Sequence, residues 1–296
     1  MDLKRLIRLT QLKQMNYIIF AIIFGIIYSL YKFDCVHWGL MFLFVVIVLS
    51  AMLGMNLLKE LMVYRYADSD EEIQKTKIER LHIDLDKLRR IMWISFGISV
   101  VLMALVVLLS TWQVGIFFVI GAVLGILYVC GRHAIVYSPL NEIILSFGLG
   151  FYVPLMTIYI NTYFEQLFMF DFIMEILWVT LPLVLSMMIL MFGYNLVEKE
   201  KGSQRKTLVA FMTKSVTMGV MELMLFLSFV LPLFSIYLDY APWTMILMWI
   251  IFPKLWMNLR RFENQKSQIG LFPYVREITT VTMVFQILLY TLGLFF

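Results

Sequence analysis

The stretch that decides the fold is residues 36–58, which read VHWGLMFLFVVIVLSAMLGMNLL. It contains no Asp, Glu, Lys or Arg. An apolar run of about 20 residues is long enough to cross the hydrocarbon core of a bilayer as an α-helix. The run is continuous rather than alternating, so it predicts a transmembrane helix and not a strand.

The composition of the whole chain agrees with this interpretation. Of its 296 residues, 62% are hydrophobic and 15% are charged, whereas a soluble domain has about 45–50% apolar and about 25% charged residues. So little charge cannot cover a water-facing surface, which excludes a water-soluble globule. The two cysteines, Cys35 and Cys130, are too few for a disulfide framework. We therefore expect an all-α, polytopic membrane helical bundle.

Further apolar runs extend this pattern along the chain. We predict about nine transmembrane helices in a single membrane domain, 1–296, with two pseudo-equivalent halves at about 1–131 and 132–296. The predicted spans are 15–32, 36–58, 91–111, 112–131, 140–160, 172–194, 215–238, 241–257 and 277–296. The eighth span is short and carries Pro253 and Lys254 near its end.

The positive charges lie almost entirely on one side of this nine-span arrangement. All but one of the 24 Lys and Arg residues fall in the N-terminal segment or at or beyond the end of an even-numbered span, and only Lys32 falls on the opposite side. Lys and Arg mark the cytoplasmic side of membrane proteins. The sequence therefore predicts a cytoplasmic N-terminus and an integral membrane protein whose long polar loops, 59–90 and 195–214, face the cytoplasm.

The first of two polar motifs lies where the second predicted span ends. Asn56, Glu60 and Tyr64 follow one another at intervals of four residues, so a helix places them on one face. Amide and carboxylate oxygens are hard ligands that suit Mg²⁺. The alternative interpretation is that the motif is only a helix cap beside a solvated, charged loop.

The second polar motif lies where the sixth predicted span ends. Tyr194, Asn195, Glu198 and Glu200 stand close together, and the basic pair Arg205-Lys206 follows. Carboxylates can hold a metal ion and Arg or Lys can hold a phosphate, because Mg²⁺ commonly bridges carboxylates to substrate phosphates. Here too there is an alternative interpretation, namely a solvent-exposed turn whose Lys and Arg residues only reflect the positive-inside rule.

These motifs and the nine spans resemble the UbiA superfamily of intramembrane prenyltransferases, and most closely the 1,4-dihydroxy-2-naphthoate polyprenyltransferases. The family pattern Asn-Leu-x-Asn-Asp is matched by Asn56-Leu57-Leu58-Lys59-Glu60, with Glu in place of Asp. The stretches Asn195-Leu196-Val197-Glu198 and Arg205-Lys206-Thr207-Leu208 resemble the pattern Asn-x-Arg-Asp, then Gly-Lys-x-Thr-Leu, with Glu198 in place of Asp. A third likeness is carried by Tyr128, Pro139 and Gly148-Leu149-Gly150.

The resemblance implies a Mg²⁺-dependent transferase in the bacterial plasma membrane. It would move a polyprenyl group from a prenyl diphosphate to an aromatic acceptor, as in menaquinone- or ubiquinone-type biosynthesis, with the bilayer and no nucleic acid as a partner. The resemblance places the metal ligands at Asn56, Glu60, Asn195, Glu198 and Glu200. It places diphosphate binding at Arg132, Arg205 and Lys206, and cation stabilisation in the pocket at Tyr64, Tyr128 and Tyr194.

Other interpretations of the sequence stay open. One is a catalytically decayed relative that binds an isoprenoid lipid or a membrane-protein partner, and another is a transporter. Glu142 lies within a turn of a predicted span end, which favours a position at the membrane interface. Glu222 lies about two turns into a span, where it is either a site residue or a protonated or hydrogen-bonded packing residue. Residues 71–90 have apolar positions at helical spacing, which predicts an amphipathic surface or lid helix.

Overall fold

The computed structural model describes residues 15–66, 74, 76–131, 134–164, 170–202, 206–264 and 270–296. Within these ranges the chain is helical and has no β-strand, which confirms the all-α prediction. The α-helices are α1 Met15–Phe33, α2 Trp38–Arg65, α3 Lys77–Arg80, α4 Leu85–Leu109, α5 Trp112–Val129, α6 Asn141–Phe147, α7 Val153–Thr162, α8 Phe170–Glu200, α9 Leu208–Phe211, α10 Lys214–Tyr237, α11 Phe252–Asn264 and α12 Phe272–Gly293. Two 3₁₀-helices, Ile135–Tyr137 and Trp243–Ile250, and the π-helix Gly148–Tyr152 complete the order.

Eight helical stretches of the described residues are long and apolar enough to cross a bilayer. They are α1, α2, α4, α5, α8, α10, α12 and the continuous stretch Asn141–Thr162, which runs from α6 through the π-helix to α7. Hydrocarbon offers no hydrogen-bond partner to the backbone, so a spanning segment must satisfy its own N–H and C=O groups, as a helix does. These eight stretches correspond to predicted spans one to seven and nine.

The eighth predicted span, 241–257, is not a single transmembrane helix. It divides into the 3₁₀-helix Trp243–Ile250 and the amphipathic helix α11. Pro253 is the second residue of α11, a position that suits a residue without an N–H donor because the first turn leaves that group unbonded. The proline therefore starts a new helix where hydropathy alone predicted a continuous one. The side chain of Thr244 anchors the 3₁₀-helix by donating to the carbonyl of Leu289 on α12 at 2.7 Å.

The helices that carry the polar motifs are longer than the hydrocarbon core of a bilayer is thick. α2 has 28 residues and α8 has 31, which at 1.5 Å per residue gives about 42 Å and about 46 Å, against about 30 Å of hydrocarbon. The polar connections therefore begin after Arg65 and after Glu200, later than the predicted starts at 59 and 195. Both motifs lie on rigid helical extensions rather than in loops.

The chain folds as two compact units, of which the first includes His37–Val136. In this unit α2 packs closely against α4: a Cβ on Gly54 would lie 2.8 Å from the ring of Phe96. The hydroxyls of Ser50 and Ser99 are 2.7 Å apart across the same interface. At the end of α2 a buried apolar cluster joins α2, α3 and α4, and its buried members are Leu57, Ile78, Ile83, Leu88 and Met92.

The predicted amphipathic helix over 71–90 is wrong for the described part of that stretch. The four-residue helix α3 is followed by a turn, and α4 begins directly after Asp84. The Asp84 carboxylate caps α4 by accepting from the backbone N–H groups of Lys87 and Asp86, and these bonds lower the pKa of Asp84. The described apolar residues of this stretch, among them Ile78, Leu81, Leu85 and Leu88, belong to the cluster described above or pack against it.

The second unit comprises Tyr17–Val36 and Tyr137–Phe296. Its centre is α8, the most buried of the eight candidate spans, which packs against α6, α10, α12 and the π-helix. The hydroxyl of Thr279 on α12 donates to the carbonyl of Ser186 at 2.8 Å, and Gln286 donates to the carbonyl of Val179 at 3.0 Å. The pseudo-equivalence of the halves 1–131 and 132–296 stays a prediction.

Gly150 lies where the π-helix packs closely against α8 in the second unit. A Cβ there would lie 2.6 Å from the Cα of Val184 on α8, so Gly150→Ala should destabilise the protein by about 1–3 kcal/mol, the usual cost of overpacking. Gly148, in the same π-helix, has nothing within 4 Å of a Cβ, and Gly148→Ala is the matched control. The measurement is the thermal unfolding midpoint in detergent, and equal midpoints for the two variants would contradict this packing.

Candidate functional site: two Asn–Glu pairs

The first Asn–Glu pair, Asn56 and Glu60, lies in the last three turns of α2. Asn56, Glu60 and Tyr64 share one face of the helix, as their spacing predicted. Glu60 is buried, with 7% of its surface exposed, while Asn56 and Tyr64 are half-buried. A carboxylate at this depth needs a compensating partner, because removing a charge from water is costly.

Lys77 supplies that partner. Its ammonium group forms an ion pair and a hydrogen bond with the Glu60 carboxylate. The lysine is the first residue of α3, and the hydroxyl of Thr76 caps this helix by accepting from the N–H of Glu79 at 3.4 Å. Ile78 is 2% exposed and fixes α3 to the apolar cluster. The position of Lys77 is therefore set by packing and capping as well as by charge.

The second Asn–Glu pair, Asn195 and Glu198, lies at the end of α8. Asn195 is 3% exposed, Glu198 is half-buried and Glu200 is exposed. Glu198 forms an ion pair with Lys201 at 3.1 Å. The ring of Tyr194 stacks edge-on against Phe272 of α12, with centroids 6.0 Å apart, which holds this end of α8 against α12.

Asn195 is bound to Glu142, a residue that the sequence placed at the membrane interface. Glu142 is fully buried within the protein, at the start of α6. The Nδ2 of Asn195 donates to the Glu142 Oε1 at 2.8 Å. The backbone N–H groups of Leu208 and Val209 point at the same carboxylate at 3.4 and 3.5 Å. Three donors, from α8 and from α9, thus surround one buried negative charge.

Lys199 holds the other end of α9. Its Nζ donates to the carbonyls of Val209 at 3.1 Å, Ala210 at 3.0 Å and Met212 at 2.8 Å. A four-residue helix does not form by itself in water. Here a carboxylate lies at its positive N-terminal end and an ammonium group at its negative C-terminal end, which is the favourable arrangement at both ends. The exposed Lys206 and the buried Thr207 directly precede α9.

The remaining predicted residues are placed as follows. Tyr128 is half-buried in the last turn of α5. Arg132 and Arg205, both predicted to bind diphosphate, lie outside the described residues. Glu222 of α10 forms an ion pair with Arg260 of α11 at 2.7 Å. Its carboxylate therefore joins two helices, which favours the packing interpretation of this residue.

Each Asn–Glu pair, taken by itself, offers amide and carboxylate oxygens of the kind that a magnesium ion takes together with oxygens of its substrate. Among the described residues no group of three or more His, Cys, Asp or Glu residues is arranged to hold a metal by itself. Mg²⁺ is usually bound through only one or two carboxylates plus substrate phosphates. The Oδ1 of Asn195 is buried and has no hydrogen-bond partner in the part of the chain that the structure describes. An unpaired buried acceptor of this kind suits a cation.

Solved structures share this arrangement of helices. A digeranylgeranylglyceryl phosphate synthase has a TM-score of 0.67 and 17% identity, over 99% of this chain and 98% of the other. A UbiA homolog from Archaeoglobus fulgidus bound to GPP and Mg²⁺ has a TM-score of 0.56 and 9% identity, over 97% and 99% of the two chains. The same homolog bound to DMAPP and Mg²⁺ has a TM-score of 0.54 and 10% identity.

The chain has the UbiA-type fold. The similarity covers nearly the whole length of each chain, so it describes the full arrangement of helices and not one motif. No family model and no curated protein matches the sequence. At 9–17% identity the likeness shows the fold, and the chemistry must be argued from the residues of this chain.

Lys77 and Lys199 were not singled out from the sequence, and Glu142 was considered there only as a residue at the membrane interface. Glu142 and Asn195 are 53 residues apart along the chain, and Lys77 and Glu60 are 17 apart. Only the fold brings such pairs together. One signal was present, because a Glu next to a predicted span is a functional candidate by default.

Proposed function

We propose that this protein transfers a polyprenyl group from a prenyl diphosphate to an aromatic acceptor, with Mg²⁺, in the synthesis of a menaquinone- or ubiquinone-type lipid quinone. The observation that carries the proposal is the full-length similarity to UbiA-type structures, two of which hold a prenyl diphosphate and Mg²⁺. Two Asn–Glu pairs at the ends of long helices supply oxygen ligands of the type that Mg²⁺ prefers.

In this reaction the C–O bond between the prenyl group and the diphosphate breaks, and a C–C bond to the ring forms. The diphosphate leaves with the bonding electrons, and the ring loses a proton. When bound, Mg²⁺ supplies positive charge for the leaving group. We assign cation ligation to Asn56, Glu60, Asn195, Glu198 and Glu200.

The basic and aromatic residues have complementary roles in the proposal. Arg132, Arg205 and Lys206 bind the diphosphate oxygens, because charge-assisted hydrogen bonds to phosphate are strong and directional. Tyr64, Tyr128 and Tyr194 present ring faces that stabilise the allylic cation and exclude water from it. Tyr64 and Tyr194 lie one turn or less from a proposed metal ligand on the same helix.

We also propose that the N-terminus and both Asn–Glu pairs face the cytoplasm of a bacterial cell. The proposal rests on the one-sided distribution of Lys and Arg. It places Cys35 outside and Cys130 inside. A membrane-impermeant maleimide added to intact cells should therefore label the Cys130→Ser variant, which keeps Cys35, and not the Cys35→Ser variant. The reverse pattern would overturn this orientation.

The proposed function is tested by assaying the purified protein in lipid nanodiscs. A prenyl diphosphate is offered with a naphthoate, a benzoate or a glyceryl phosphate lipid as acceptor. The last acceptor is included because one structural neighbour is a digeranylgeranylglyceryl phosphate synthase. We expect prenylation of an aromatic acceptor that requires Mg²⁺ and stops in EDTA. Transfer only to the glyceryl lipid would overturn the aromatic acceptor, and transfer that survives EDTA would overturn the role of the metal.

A second function is favoured by one specific observation, the ion pair between Lys77 and Glu60. A lysine that neutralises the only acidic ligand of the first pair suits a non-catalytic relative that binds an isoprenoid lipid or a membrane-protein partner. Saturable binding of a prenyl diphosphate or an isoprenoid lipid, without turnover on any acceptor, would support this second function against the first.

A further inference from the structure

The side-chain amide of Asn195 is hydrogen-bonded through its nitrogen but, among the described residues, not through its oxygen. Its Nδ2 donates to Glu142, while its Oδ1 is buried and has no hydrogen-bond partner among the described residues. A buried carbonyl oxygen without a partner costs free energy comparable to a lost hydrogen bond. The arrangement therefore needs a reason why the amide does not turn its oxygen toward a donor.

Glu142 gives that reason. A carboxylate accepts hydrogen bonds and does not donate them, so it takes the NH₂ end of the amide and repels the oxygen end. The contacts from the N–H groups of Leu208 and Val209 fix the carboxylate from another direction. Glu142 is itself fully buried, so water does not compete for these bonds. The carboxylate therefore determines which way the Asn195 oxygen points.

We propose that Glu142 is a positioning residue that holds the Asn195 amide with its carbonyl oxygen presented to a divalent cation. The inference rests on the proposed function, since it assigns the cation to the same Asn195. Glu142 does not bind the cation in this arrangement. It acts through Asn195, as the carboxylates behind metal ligands do when they orient a ligand and make it more electron-rich.

The test uses variants that reverse the polarity of this contact. Glu142→Gln keeps the size of the side chain but offers an NH₂ group, which draws the Asn195 oxygen inward. It should weaken binding of Mn²⁺ in the presence of inorganic diphosphate by about ten- to a hundredfold. Asn195→Asp alone places two carboxylates side by side and should also bind poorly. The double variant Glu142→Gln/Asn195→Asp pairs an amide donor with a carboxylate again and should recover binding.

Binding is measured in nanodiscs as the loss of the free Mn²⁺ signal in electron paramagnetic resonance, together with the unfolding midpoint of each variant. The matched control is Glu175→Gln, at the opposite end of α8. Glu175 also accepts a side-chain hydrogen bond, from Tyr28 at 2.6 Å. This control should bind Mn²⁺ as the wild type does. If Glu142→Gln does not fold, the comparison of Asn195→Asp with the double variant decides the question.

The possible outcomes separate this inference from the proposed function. Equal Mn²⁺ affinity in the wild type and in Glu142→Gln would overturn the positioning role even if prenyl transfer is observed. Recovery of the unfolding midpoint in the double variant, without recovery of Mn²⁺ binding, would reduce Glu142 to a packing partner. A wild-type protein that binds no Mn²⁺ would overturn the inference as well. Polarity-dependent Mn²⁺ binding without transfer to any acceptor would support the inference and contradict the proposed reaction.

Discussion

Replacing Glu60 with glutamine should lower Mg²⁺-dependent prenyl transfer by at least about a hundredfold, the usual loss when a group that stabilises developing charge is removed. Glutamine keeps the shape of the side chain but carries no charge to attract a cation. The loss should be in the rate of transfer at saturating prenyl diphosphate, measured by product formation over a range of Mg²⁺ concentrations. Retained activity would remove Glu60 from the site.

Replacing Lys77, the ion-pair partner of Glu60, should lower the Mg²⁺ concentration that the protein requires. In Lys77→Met the Glu60 carboxylate stays buried but loses its ammonium partner, and an unpaired buried charge is strongly unfavourable. A divalent cation relieves that cost. The Mg²⁺ concentration for half-maximal activity should therefore fall by about tenfold, equivalent to about 1.4 kcal/mol. We therefore expect Lys77 to compete with Mg²⁺ for the Glu60 carboxylate.

A control and a double variant separate this role from a structural one. Lys87→Met removes a more exposed ion pair of the same unit, the 3.5 Å contact with Asp84, and should leave the Mg²⁺ requirement unchanged. If the Lys77–Glu60 pair only holds α3 in place, both single variants lose stability and the double variant Glu60→Gln/Lys77→Met regains stability and activity together. That result would contradict the cation role of Glu60.

The fold could be predicted from the sequence because hydrocarbon imposes a simple rule. A spanning segment must be apolar, about 20 residues long and internally hydrogen-bonded, and eight of the nine predicted segments meet that rule as continuous helices. Helix ends were less predictable. Lys59, Glu60 and Lys199 lower the hydropathy but are good helix formers, so α2 and α8 continue past the point where the apolar run stops.

The site could be predicted only where its geometry is local. The four-residue interval between Asn56 and Glu60 specifies one helix face whatever the rest of the chain does. The partners of those residues are set by packing between elements that are distant in sequence. Lys77 lies in the stretch 71–90, which was predicted as one amphipathic surface or lid helix. The burial of Glu142 depends on α9, which the sequence did not predict as a helix. Long-range contacts of this kind leave no periodic signal.

Lys199→Met should weaken prenyl diphosphate binding by about ten- to a hundredfold, which is roughly the loss of one or two charge-assisted hydrogen bonds. The substitution keeps an unbranched side chain of similar length but leaves the carbonyls of Val209, Ala210 and Met212 without their ammonium donor. Those carbonyls form the C-terminal end of α9, which is too short to hold itself together. The change therefore loosens the segment that begins at Lys206.

The expected signature of this loosening is a rise in KM for prenyl diphosphate that exceeds the fall in kcat, because Lys206 is proposed to bind substrate. Hydrogen exchange at the amides of residues 207–212 should quicken at the same time. Lys254→Met is the control, since Lys254 forms an exposed pair with Glu277 at 2.7 Å, and exposed pairs contribute little. Faster exchange with an unchanged KM would show that the Lys199 contacts only stabilise α9 and that Lys206 does not bind the diphosphate.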